Sequence, residues 1–531
     1  MTTPVTGLEV THAHEPDEQI GRRVMFGTLA NGAGQALTLL VGFLITPIIL
    51  AALGPSTYGL WILVSSVVAY GSLLDLGIWG AIAKHVAEYQ ARGDAGAIRA
   101  LFATVVGLYV VLGAVVFLIA LALSQVFPFL FELEPSARMT AQWLVVLAGA
   151  GVAISLPASA PIGVLRGLQR FDLVNLVGVV GTLLTSAVTL LVLWLDGGVL
   201  AMVGATVALL ALMQAPIFLI VRRAAPDLRL GWCAPDRALV PAIVSYSWPL
   251  FVGEVSWRLQ SATDEIVIGA SLPTSQVTPY ALSRRLSDVP RQITNQFVKV
   301  LMPLTSELEA SGDMTRVRAV YLAGTRLTLA IVLPMCASLV GLAGAALTLW
   351  VGAPYAGYAH LVVILTVAGC VGMSQWPAGA VLQGIARHRV PAYAALGSGL
   401  ANLALTLILV QPYGLSGVAL GTLVPTVIES WLVMLPYAVR TIGVRASDLI
   451  RQVLVPSFGA LVPLLAVQYG MKWLLEPSTL VGFSAILSAG VAAYAVAYLA
   501  FGVCSLERRV ALSVLGRLGV PSRQWVTRHS G

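Results

Sequence analysis

The chain is short of charge, of cysteine and of histidine. Only 10% of its 531 residues are Asp, Glu, Lys or Arg, against 58% hydrophobic, whereas a soluble domain is about a quarter charged. That shortage excludes a water-soluble protein of this size, because its surface could not be covered. Four cysteines (Cys233, Cys336, Cys370, Cys504) stand apart without CxxC spacing. Three fall in or beside apolar runs and read as small core residues, which argues against disulfides or a thiolate metal site. The six histidines (His12, His14, His85, His360, His388, His529) lie in tails or at helix ends and form no ligand pattern. No GxSxG, Walker A, HExxH or Gly-rich dinucleotide loop with suitable flanks occurs, so no cofactor, metal or enzyme activity is expected. Without an ATPase motif, any transport would draw on an ion gradient, the membrane potential or the substrate gradient. The residues before Arg22 are polar and mildly acidic, which reads as a tail and not a signal peptide.

What is abundant is apolar sequence in runs of about 20 residues, the length that crosses a bilayer. The expected spans are 24–52, 57–87, 98–128, 139–167, 172–195, 198–222, 243–271, 276–308, 318–350, 358–386, 391–411, 414–440, 449–475 and 478–503. With the N-terminus inside, the inner loops hold Arg92, Arg170, Arg222, Arg316, Arg387, Arg440 and Arg508 among many others. The outer loops hold only Arg138 and Lys472. So lopsided a split fixes the parity and puts both termini in the cytoplasm. It also explains the net charge of +7 as membrane topology and not a nucleic-acid surface.

Residues 157–170 (PASAPIGVLRGLQR) and 377–387 (PAGAVLQGIAR) align once Pro161, Ile162 and Gly163 are dropped. The same offset of 217 places Gly197 on Gly414 and Gly204 on Gly421. A weaker echo pairs Leu53-Gly54-Pro55 and Tyr58-Gly59-Leu60 with Leu272-Pro273 and Tyr280-Ala281-Leu282. Six helices per repeat insert the same way up, an arrangement used by transporters. The expected architecture is all-α and polytopic: about fourteen helices, as two parallel six-helix lobes plus a C-terminal pair. Its units are a cytoplasmic tail (1–22), an N-lobe (23–223), a cytoplasmic linker (224–242), a C-lobe (243–441), the extra pair (448–504) and a basic cytoplasmic tail (505–531).

Two spans carry unusual charge. Arg284, Asp288, Arg291, Asn295 and Lys299 fall on one helical face, a stripe roughly 22 Å long, with a kink expected at Pro290. In the preceding helix Glu254, Arg258, Ser261 and Glu265 share a face expected to meet it, beside Asp264. Lipid cannot solvate such a stripe, where one central charge costs at least about 2.5–3.5 kcal/mol. Structural pairing is one reading. A cationic cavity for a phosphate or pyrophosphate is the other, and the excess of Arg284, Arg285, Arg291 and Lys299 over Asp288 favours it. Asn31, Gln35 and Thr38 on the first helix either bond a neighbouring helix or line the cavity. Asp75, Arg326 and Glu429 are lone intramembrane charges, each a coupling or cavity group or half of an internal pair. Gln375, Trp376 and Gln383 offer sugar contacts, though Trp376 reads first as a packed residue.

Leu53-Gly54-Pro55-Ser56-Thr57-Tyr58-Gly59-Leu60-Trp61, Leu74-Asp75-Leu76-Gly77, Gly167-Leu168-Gln169-Arg170 and the run Asp264…Tyr280-Ala281…Arg284-Arg285-Leu286 resemble the polysaccharide flippases of the multidrug/oligosaccharidyl-lipid/polysaccharide (MOP) exporter superfamily. The similarity covers about residues 22–440. The resemblance implies two six-helix lobes in a V that open alternately to either side. It implies an undecaprenyl-pyrophosphate-linked oligosaccharide as substrate, moved from the cytoplasmic to the periplasmic leaflet of the bacterial inner membrane. Membrane lipids and other polysaccharide-assembly proteins are the expected partners, and no nucleic acid. Arg284, Arg291, Lys299, Arg258, Asn31 and Gln35 would bind the head group. Asp75, Glu254, Asp264, Glu265 and Asp288 would couple or pair. A cation-coupled drug exporter of the same superfamily predicts an acidic cavity instead. A polymerase or ligase on the same lipid carrier predicts a large outer loop, and the longest expected here is about 129–138.

Overall fold

The computed structural model describes residues 17–228 and 236–501, and in them every regular element is helical. Cys233, Cys504 and the basic tail lie outside the described residues. In chain order the helices are α1 (Asp17–Ala69), α2 (Ile78–Ala91), α3 (Ala95–Leu130), α4 (Pro135–Gly167), α5 (Phe171–Trp194), α6 (Gly198–Ala224) and α7 (Val240–Ser271). There follow α8 (Val277–Ser287), α9 (Val289–Val298), α10 (Leu301–Ala310), α11 (Met314–Val351), α12 (Ala359–Ser374), α13 (Trp376–Gly384) and α14 (Arg389–Val427). Beyond a π-helical turn (Ile428–Met434) come α15 (Leu435–Ile442), α16 (Ala446–Leu449), a second π turn (Ile450–Leu454), α17 (Val455–Gly459), α18 (Leu461–Lys472) and α19 (Leu480–Phe501).

Ten helical stretches among the described residues are long and apolar enough to cross a membrane, and the chain is a multi-pass membrane protein. Two of them, Gly34–Ala91 (58 residues) and Arg389–Ile442 (54 residues), are about twice as long as a hydrocarbon core requires. They turn at Gly54 (φ 73°) and Gly414 (φ 55°), where only glycine adopts the left-handed backbone without a Cβ penalty. The charged stretches α7 and α8–α10 are not among the ten. Large side chains such as Leu118, Leu212, Leu432 and Val481 point outward, as lipid-facing residues do.

The internal repeat is visible in local geometry, including one place the sequence comparison above did not use. Gly93-Asp94 and Gly312-Asp313 both turn through a positive φ (69° and 74°). Each Asp then caps the following helix: Asp94 Oδ1 accepts from Ala97 N–H at 2.8 Å, and Asp313 Oδ1 from Arg316 N–H at 3.0 Å. Downstream, Gly167 has no room for a Cβ against Val86, and Gly384 none against Thr305. The next turns carry Gln169 and Ala386 in the left-handed region, at 56° and 55°.

Burial divides the molecule by depth. At the end that carries the Gly54, Glu132, Asp196, Gly352 and Gly414 turns, one core joins both halves of the chain. It includes Tyr58, Leu63, Phe127, Leu144, Ile268, Tyr280, Leu361 and Val418. At the opposite, arginine-rich end the core splits in two. One cluster draws on Ile82, Leu101, Leu165 and Val221; the other draws on Val317, Tyr321, Leu382 and Ile442. The halves are thus joined at one end and, apart from Ile243 of α7 in the first cluster, separately cored at the other.

Polar contacts tie the halves together between these ends. Pro47 cannot donate to the carbonyl of Phe43 one turn back. That carbonyl is taken by Trp350 Nε1 of α11 at 2.8 Å, and the two rings stack at 4.4 Å. Arg285 Nη2 donates to the neighbouring Gly42 carbonyl at 2.7 Å. The C-terminal pair is held to α11 by Gln468 Nε2 donating to Ser338 Oγ (2.8 Å) and Arg326 Nε donating to Tyr498 Oη (3.2 Å). Arg326 thereby has an internal partner, a tyrosine where an acid was one alternative.

Candidate functional site

The charged stripe is not one helix but three pieces. Pro290 has no N–H to give the preceding turn, so α8 ends and α9 begins at Asp288. A second break, not foreseen, falls at Lys299–Val300. The pieces still keep the stripe together: Arg284, Asp288, Arg291, Asn295 and Lys299 all line one cavity of about 530 Å³. Its other walls are α12–α13, with Gln375, Trp376 and Gln383, and α14 with the π turn, with Asn402, Thr422 and Glu429. Trp376 packs against Val332, Cys336 and Met373 as expected and also reaches the cavity, with the Arg291 guanidinium 5.9 Å from its ring centre.

The cations are not equivalent. Arg284 is held in the protein: Nη1 donates to Asp264 Oδ2 at 3.0 Å and Nη2 to the Gln260 carbonyl at 3.0 Å. The same Asp264 oxygen accepts from Tyr280 Oη (2.6 Å) and Thr422 Oγ1 (3.0 Å). Arg285 leaves the cavity altogether for α1. Arg291 lies 3.7 Å from Asp288, and Lys299 is exposed with no acidic group within 4.0 Å among the described ion pairs. The cations anticipated along this face therefore differ in their surroundings: Arg284 is bound by Asp264, Arg291 stands beside Asp288 and the Trp376 ring, and Lys299 is exposed.

A second correction concerns α7. The face that meets the stripe carries Gln260 and Asp264, not Arg258, which is about 120° away at 100° per residue. Arg258 Nη2 donates to Ser72 Oγ of the other half at 2.8 Å, with Glu254 3.5 Å from its Nε. Beside it Tyr70 Oη shares a hydrogen bond with Thr263 (2.6 Å). Glu265 is buried; the side chain of Ser261 lies outside what is described.

Asp75 closes a short 3-10 stretch, Tyr70–Asp75, after which Leu76 and Gly77 turn through positive φ and helix 78–91 begins. Tyr109 Oη of α3 donates to its carboxylate. Asp75 thus sits at a break in a membrane helix with an internal partner. Gln35 is exposed and does not border the cavity. The side chain of Asn31 lies outside what is described. Thr38 bonds back to Gly34 O at 3.0 Å within its own helix, so it bridges no neighbour.

Four buried oxygens have no protein hydrogen-bond partner along this cluster: Asp264 Oδ1, Glu265 Oε2, Asn402 Oδ1 and Thr406 Oγ1. Gln375 Oε1 is a fifth, on the far wall. Buried polar atoms are almost always paired, with protein or with water, so these are places that a water or a ligand donor can fill. The sequence offered no signal for Asn402, Thr406 or Thr422, which are unremarkable polar residues on an apolar helix until α14 is folded against α7.

The fold is that of MOP-superfamily transporters. The solved structure of the lipid II flippase MurJ in an inward closed conformation matches over 90% of this chain and 98% of its own, with a TM-score of 0.70 at 12% identity. A multidrug resistance MATE family transporter in an inward-facing conformation matches over 77% and 94%, with a TM-score of 0.64 at 16% identity. An outward-facing conformation of such a transporter matches over 78% and 95%, with a lower TM-score of 0.56 at 17% identity. None of the curated proteins compared with the chain matches it. The family model described as polysaccharide biosynthesis protein matches residues 24–309, more than half of the chain, and the chain belongs to that family.

Proposed function

We propose that this protein is a flippase, not an enzyme, that carries an undecaprenyl-pyrophosphate-linked oligosaccharide from the cytoplasmic to the periplasmic leaflet by alternating access. On this reading it has fourteen passes in the inner membrane: an N-lobe (23–223), a C-lobe (243–441) and an extra pair (448–504), with both termini cytoplasmic. Counting Gly54 and Gly414 as hairpin turns and α7 and α8–α10 as crossings brings the ten apolar stretches to that number. The joined end then faces the periplasm, and the end with separate cores faces the cytoplasm, where the substrate is loaded.

One observation carries the reading. Arg291 and Lys299 border one cavity on the same face, Arg291 between Asp288 (3.7 Å) and the Trp376 ring and Lys299 exposed, whereas Arg284 is bound by Asp264. An arginine and a lysine at one cavity suit a pyrophosphate, the first by its planar fork and the second as a point charge. Membership of a polysaccharide biosynthesis family and the likeness to a lipid II flippase support an oligosaccharide on a lipid carrier over a cationic drug. The short outer connections speak against a polymerase or ligase. In a deletion strain, Arg291→Glu should insert normally yet restore no surface polysaccharide, leaving lipid-linked units on the cytoplasmic face. Full restoration by Arg291→Glu would overturn the reading.

A further inference from the structure

The cavity is not only cationic. Facing Arg291 and Lys299 is a wall of acceptors: Gln375 Oε1 and Asn402 Oδ1, each on a side chain at least nine-tenths buried, have no partner. The Glu429 carboxylate joins them, presented by the π turn Ile428–Met434, a backbone irregularity that recurs at functional sites. The indole of Trp376 lines the same cavity beside Gln375 in sequence, with the Arg291 guanidinium 5.9 Å from its ring centre.

Such acceptors do not attract phosphate, whose oxygens are acceptors themselves. They call for several hydroxyl or amide N–H donors held at fixed spacing, together with a ring that has an apolar face for the indole. We infer that Gln375, Asn402, Glu429 and Trp376 form a subsite for the sugar joined directly to the lipid pyrophosphate, and that they select which sugar is accepted. The inference rests on the flippase reading above. The cavity, at about 530 Å³, is in the range of ligand sites, roughly 300–1,000 Å³. Its two chemistries lie side by side, as a sugar and its pyrophosphate do.

The test uses the full-length protein in lipid nanodiscs with undecaprenyl pyrophosphate, bare or carrying one residue of N-acetylglucosamine, N-acetylgalactosamine, glucose or galactose. At least one sugar-bearing lipid should bind about tenfold tighter than the bare one, the effect of one or two added hydrogen bonds in a buried site. Gln375→Ala and Glu429→Ala should each erase most of that difference and leave bare-lipid binding within about twofold, which also reports that they fold. Equal binding of all five lipids, or a sugar increment that survives both substitutions, overturns the subsite while bare-lipid binding keeps the flippase reading. Failure of the bare lipid to bind the unaltered protein overturns the flippase reading and the subsite with it.

Discussion

Asp94 in the first half and Asp313 in the second cap their helices by the same bond after the same left-handed glycine, yet the two halves spend their intramembrane polar groups differently. In the first half Asp75 accepts from Tyr109 of the same half, while Ser72 accepts from Arg258 across the seam. In the second half Gln375 and Asn402 line a cavity with oxygens left unmatched, and Asp264 and Thr406 hold further unmatched oxygens behind it. The turns and close approaches recur in both halves, while the cavity proposed to take the substrate is walled by the second half alone.

The largest expected effect comes from striking the second half where, on the flippase reading, its charges would meet the substrate. Arg291→Glu should lower flipping by about a hundredfold or more, since it replaces an attractive charge with a repulsive one in a low-dielectric site. A vesicle assay that follows lipid-linked units across the bilayer reads this directly. Asp264→Ala attacks the frame of the same half: it strands the Arg284 guanidinium, whose side chain is 12% exposed against 1% for Asp264. Losing one member of such a buried pair costs about 3–5 kcal/mol, so detergent-solubilised protein should melt markedly earlier. Asp264→Asn should lose less stability, because an amide still accepts from Tyr280 and Thr422. A melting curve unchanged in Asp264→Ala would deny the pair its structural role.

Smaller effects test the first half and the seam. Trp350→Phe removes the donor to the Phe43 carbonyl but keeps a ring to stack, a loss of about 1 kcal/mol. It should shift the population toward states open at the Gly54 end, measurable as faster labelling of a cysteine introduced beside Leu60. Asp75→Asn keeps an acceptor for Tyr109 and should change flipping by less than about twofold. If Asp75→Asn instead stopped transport, the first half would hold the coupling group and the contrast between the halves would dissolve.

Much of this was legible in the residues. Helical spacing brought Arg284, Asp288, Arg291, Asn295 and Lys299 to one wall although the helix breaks twice. The Pro290 kink followed from a missing N–H. What the sequence hid were choices among faces and partners. Arg258 and Asp264 are six residues apart on one helix, and nothing local says which looks at α8. Arg285 follows Arg284 yet serves the backbone of α1, since adjacent residues on a helix cannot share a face. Trp376 looked like core because indoles usually are, and only the fold of α12–α13 around Arg291 shows its exposed edge.

The Phe43 carbonyl, disowned by its own helix at Pro47, has one further consequence. While the halves are joined, Trp350 occupies it; once they part, only water can, and at that depth water must first be admitted. On the flippase reading, opening toward the far side is therefore a hydration step as much as a hinge motion. Osmotic stress, applied with a solute too large for the cleft, should hold the transporter on the side where the indole still does the work of a water molecule.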